Sequence, residues 1–155
     1  CDWSSDVCSS DLRKVTERTN NMAAALFAFV ATLLGFVAID AVWLKAMAQR
    51  TYAAEIGSLL RERPRLVPAM LFYLMFAAGL AFFSVLPGIA TGQPLHAALS
   101  GAMVGLIAYG TFNLTNLAIL RGYSAKIAAI DMVWGIIASA LTAGLAAWAG
   151  ARLFG

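Results

Sequence analysis

Four apolar runs, separated by short polar segments, organise the chain: residues 22–44, 66–86, 95–120 and 127–150. A helix rising about 1.5 Å per residue needs about 20 residues to cross the hydrocarbon of a bilayer, and each run is long enough. The pattern predicts an all-α fold, a four-helix transmembrane bundle that makes residues 22–155 a single integral membrane domain. Within residues 45–65, Tyr52, Ile56, Leu59 and Leu60 recur at helical spacing, with Arg50, Glu55, Arg61 and Glu62 mostly on the other side. A short interfacial helix between the first and second spans is expected there, lying in the headgroups or packed on the bundle end. Pro68 suits a first helical turn, and Pro87-Gly88 is expected to stop the second helix. Ser124 is placed to cap the fourth.

Polar positions inside the runs are few, and hydrocarbon offers them no partner. The third run contains Tyr109-Gly110-Thr111-Phe112-Asn113-Leu114-Thr115-Asn116. Tyr109, Asn113 and Asn116 fall at i, i+4 and i+7, one stripe of a helix, and Gly101 and Gly105 continue that stripe. The first and fourth runs each contain one acid, Asp40 and Asp131, about five residues from Lys45 and Lys126, or roughly 7 Å inside the helix ends. Alternating spans bring both acids to the leaflet of Asn113 and Asn116, together with Tyr73 of the second run. Asp40, Tyr73, Tyr109, Asn113, Thr115, Asn116 and Asp131 are therefore the candidates for a shared polar layer.

Trp43 and Trp134 each follow an acid by three residues, on the same face, and fit aromatic rings at the interface. Gly135, Ser139 and Ala143 repeat every four residues, as Gly101 and Gly105 do, and both stripes suit close helix packing. The plain alternative for the acids is an interfacial, hydrated carboxylate. Asp131 near a helix start is favoured by the dipole, whereas Asp40 near a helix end is opposed and needs a partner.

Composition agrees with the pattern: 61% of residues are hydrophobic and 12% charged, against about 25% charged in soluble domains. The net charge of +3 does not point to nucleic acid, because the basic residues occupy short loops and form no basic face. Residues 1–12, which contain both cysteines, resemble the in-frame translation of a sequencing adapter. Residues 1–12 are accordingly expected to be artefact, and residues 13–21 either genuine or untranslated leader read in frame. Residues 1–21 are expected to be disordered, with Met22 as the native start and no thiol chemistry in the rest. Lys45, Arg50, Arg61, Arg63, Arg65, Arg121 and Lys126 lie in two loops on one side, and from Met22 on only Arg152 lies on the other. The positive-inside rule then places the two basic loops in the cytoplasm and both termini outside. A cleaved signal peptide ending at Ala46-Met47-Ala48 fits less well, since the apolar run is long and Asp40, Trp43 and Lys45 intrude before that site.

Asp40-x-x-Trp43-Leu44, Leu71-Phe72-Tyr73, Leu114-Thr115-Asn116-Leu117-Ala118 and Asp131-x-x-Trp134-Gly135 together resemble a family of small predicted bacterial inner-membrane proteins, a domain of unknown function, over about residues 22–150. The resemblance implies four membrane helices and a bacterial inner-membrane location. Where that family often has Tyr and Asp, this chain has Phe112 and Asn113, so Asn113 is not expected to act as an acid. No catalytic residue, metal-ligand cluster or cofactor motif emerges: His96 stands alone, and acid–base work would fall to carboxylates. Two function classes fit. One is a small transporter or permeation unit built on the carboxylate and amide layer. The other is a non-catalytic scaffold that packs against a membrane-protein partner or a copy of itself. A lipid-modifying enzyme is a weaker third. Partners are expected to be the lipid bilayer and such an assembly, with no nucleic acid.

Overall fold

The computed structural model describes residues 3–47 and 65–154, with side chains from Glu17 onward. Four helices are long and apolar enough to cross a membrane. They are α1 (Trp3–Met47), α2 (Leu66–Thr91), α3 (Pro94–Ile119) and α4 (Ala125–Phe154). No strand occurs among the described residues. The expected interfacial helix falls on residues 48–64, outside the described residues.

Two boundaries differ from expectation. Residues 3–21, expected to be disordered, are helical and continuous with the first span. They contain no Gly or Pro, and a helix already nucleated by an apolar span propagates into polar residues at little cost. Glu17 to Ala23 nevertheless remain exposed and contribute nothing to the core.

The second helix does not stop at Pro87. Its ring would conflict with a carbonyl one turn back, and it has no N–H to give. The backbone accommodates this by widening to a π-helical segment at Ala81–Val85, where the Leu86 N–H bonds the Ala81 carbonyl five residues back. The helix then runs on to Thr91. It ends where Gly92 turns left-handed (φ 65°), with Gly92 N–H on the Ile89 carbonyl and Gln93 N–H on the Gly88 carbonyl. Ser124 does cap α4: its hydroxyl accepts the Ile127 N–H at 3.5 Å.

The core is built mainly from small residues, among them Ala28, Ala77, Ala97, Ala138, Ala143 and Ala147, around Phe36, Leu80 and Val85. Large apolar side chains such as Leu26, Met75, Leu99 and Leu145 point outward. That inversion suits a bilayer, where helices gain from close backbone approach and not from withdrawing Leu from water. The closest pairing is α3 on α4, and α1 packs on α2 and α4. A Cβ at Gly105 would collide with the Gly135 carbonyl and lie 2.6 Å from Ser139 Oγ. A Cβ at Gly101 would lie 2.7 Å from the Ala143 Cβ and 2.8 Å from the Ser139 carbonyl oxygen. The two small-residue stripes therefore pack against each other within one chain. The Leu66–Leu80 part of α2 packs on α1, whereas the stretch from Ala81 to Thr91 closes on α3.

Candidate functional site

Asp40 lies seven residues before the end of α1, and Asp131 six residues after the start of α4. Each is therefore about 10 Å along its axis from the end of the bundle that carries Lys45, Arg65, Arg121 and Lys126.

Asp40 is buried. Tyr73 of α2 donates its hydroxyl to Oδ2 at 2.5 Å, and Trp134 of α4 donates its indole N–H to Oδ1 at 3.2 Å. Neighbouring rings hold both donors in position. Trp43, one turn beyond Asp40, stacks on Trp134 with centroids 4.3 Å apart and planes 4° apart. Phe36 meets the Tyr73 ring edge-on at 6.2 Å. Three spans thus converge on one carboxylate through two neutral donors, which supply the partners that its place near a helix end requires.

Asp131, half-buried, has a different set of partners. Asn113 of α3 is fully buried and donates through Nδ2 to Asp131 Oδ2 at 2.7 Å and to the Tyr109 carbonyl at 3.0 Å. Its Oδ1 accepts the Tyr123 hydroxyl at 2.8 Å. Both ends of the amide are used: it donates to a carboxylate and accepts from a hydroxyl without a titratable proton of its own. A second carboxylate at 113 would have to share a proton with Asp131, so the Asn at this position removes that conflict. Tyr123 sits in the turn outside the spans. Burial pushes its hydroxyl above its ordinary range, a hydrogen bond with Asn116 opposes that, and the charge of Asp131 adds to it.

The structure thus brings Asp40, Tyr73, Asn113, Asn116 and Asp131 to one end of the bundle, but in two centres, where a single layer was expected. Tyr109 contributes its carbonyl, and its ring lies directly over Gly135, where a Cβ would overlap it. Thr115 does not belong to the group: two residues from Asn113 is about 200° of helical rotation, and its side is exposed. Trp43 and Trp134 form a stacked pair, of which Trp134 alone bonds the acid Asp40. Tyr123 was not anticipated. The only signal for it was an aromatic inside a basic turn next to the polar stripe.

Both centres border one cleft of about 1370 Å³ between α2 and α3. One wall is Phe72, Met75, Phe76, Gly79 and Phe83, a single stripe of α2. The other is Leu99, Met103, Val104, Ile107 and Ala108, a single stripe of α3. The cleft exists because α2 approaches α3 from Ala81 onward and packs on α1 before that. It runs from His96 to Phe112, sixteen residues or about 24 Å, most of the ~30 Å of bilayer hydrocarbon. Asp40, Tyr73, Tyr123 and Asp131 lie at one end. Among the described residues, no group of three or more His, Cys, Asp or Glu could hold a metal ion.

Residues 25–148 match the model of a family described as "Predicted membrane protein (DUF2177)". No curated protein and no solved structure matches the chain.

Proposed function

The chain belongs to that family of predicted membrane proteins of unknown function, and from that premise we propose that it is a small transporter or permeation unit for an amphipathic molecule. The observation that carries this is the cleft between α2 and α3, apolar along its length and bordered at one end by both carboxylates. Such a shape admits a solute sideways from the bilayer, with its apolar part between the helices and its polar part beside Asp40 and Asp131. In this proposal the basic end faces the cytoplasm of a bacterial inner membrane and both termini lie outside.

The scaffold alternative has less support. Register-setting aspartates and small-residue stripes would serve a partner only if they were open to it. Here Asp40, Asn113 and the Gly101, Gly105 and Gly135 stripes are engaged inside one chain.

The test is leaflet exchange in liposomes reconstituted with the full chain. Fluorescent amphiphiles with cationic, zwitterionic and uncharged heads are placed in one leaflet, and their appearance in the other is followed by chemical quenching. Exchange of at least one class faster than in protein-free liposomes, and slowed by Asp40→Asn, is the expected result. Rates equal to protein-free liposomes for all three classes exclude a transport function of this kind.

A further inference from the structure

We infer that the cleft selects hydrophobic cations that lack hydrogen-bond donors, quaternary ammonium or phosphonium compounds with apolar substituents, a conclusion that presupposes the amphiphile cleft proposed above. Three observations carry it. First, the polar end of the cleft holds two acids, Asp40 and Asp131, and among the described residues no Lys or Arg lines it. Beside Asp40, in a medium of low dielectric, a cation is favoured and a phosphate or carboxylate head opposed, while Lys45, Arg65, Arg121 and Lys126 lie about 10 Å further out at the end of the bundle.

Second, Asp40 already accepts one hydrogen bond on each oxygen, from Tyr73 and from Trp134, both neutral. Its carboxylate therefore already has about half of its acceptor sites filled, while neither of these two partners brings a positive charge. A primary ammonium would have to give up water on three N–H groups to enter such a site. A quaternary centre has no such hydrogen bonds to lose.

Third, the same end is walled by aromatic rings: Trp43, Phe72, Tyr73, Tyr109, Phe112 and Tyr123 all line the cleft. Aromatic faces attract a cation through their quadrupole, and the effect grows when the site is desolvated. Rings around a carboxylate, at the end of an apolar trough, match a charged centre attached to a hydrophobic body. Ordinary anionic phospholipid matches the trough but not its polar end.

The test is equilibrium binding of radiolabelled dodecyltrimethylammonium to the full chain in lipid nanodiscs. Two chain-matched competitors are used: the uncharged analogue with carbon in place of nitrogen, and dodecyl phosphate. Saturable binding is expected, with each competitor at least about tenfold weaker than unlabelled cation. Asp40→Asn is expected to weaken the cation at least about tenfold, with Asp40→Glu retaining most of the affinity. If the uncharged analogue or the phosphate competes as well as the cation, charge selection is wrong while the amphiphile cleft stands. If none of the three binds saturably, or the purified protein is a dimer whose cleft no probe enters, the cleft itself is not an amphiphile site and both conclusions fall. Should Asp40→Asn fail to insert, the competition on the unmodified chain decides alone.

Discussion

Trp134 donates its indole N–H to Asp40 of α1, 3.2 Å away, and not to Asp131, its neighbour one turn earlier on the same helix. That bond ties α1 to α4 at the level of the two acids. Stacking on Trp43 holds the indole in that direction. A hydrogen bond to a charged group is stronger than a neutral one, although contacts of this kind in membranes average less than in water.

Trp134→Phe keeps an aromatic ring against Trp43 and removes the donor. We expect a loss of about 1–2 kcal/mol in unfolding free energy in a mild detergent. On an Asp40→Asn background the same change should cost markedly less, because the charged acceptor is gone. Equal losses in the two backgrounds, within about 0.5 kcal/mol, would mean that the bond adds nothing.

Gly135→Ala tests the contact between α3 and α4. The added methyl overlaps the Tyr109 ring, with Cγ the nearest atom, at the root of the ring and not at its far end. Overpacking of this sort costs about 1–3 kcal/mol. Tyr109→Ala makes room for the methyl, so the double variant should lose less than the two single losses added together. Strict additivity would show that ring and glycine are not in contact.

Tyr123 has a hydroxyl whose protonated form is favoured by burial and by the charge of Asp131. Its folded value lies above its unfolded value of about 10, so its contribution is fully present below pH ~10 and is lost as pH rises through the folded value. The thermal midpoint of the unmodified chain should therefore fall more steeply above pH ~10 than that of Tyr123→Phe. Parallel curves would remove Tyr123 from the alkaline limb.

The charge asymmetry of the loops makes a prediction about orientation. Reporters fused after Gly92 and at the C-terminus should be active only as extracytoplasmic reporters. Cytoplasmic activity at both positions would invert the bundle and put the two acids in the opposite leaflet.

The four spans, the Ser124 cap and the two small-residue stripes are legible from the chain because each follows from local chemistry, whereas the packing of the stripes on each other is set by the fold. A run of about 20 apolar residues has to satisfy its own backbone in hydrocarbon and so becomes a helix. Small residues four apart make one smooth face wherever the helix goes. The isolation of Asp40 near a helix end likewise signalled a need for partners, and Tyr73 and Trp134 supply them.

What the chain left open was decided between helices. Pro87 reads as a stop, yet the helix continues to Thr91 because five residues before the proline can widen to a π turn inside a packed bundle. Periodicity puts Trp134 on the face of Asp131, but the acid within reach of its nitrogen is Asp40, set by the approach of α1 to α4. Thr115 belongs to the same polar run as Asn113 and points away from it. The cleft has no sequence signature, since its walls are the same Phe, Leu, Met and Ile that face lipid elsewhere. It arises where α2 leaves α3 and leans on α1, a divergence of helix axes that a one-dimensional pattern of apolar positions does not encode.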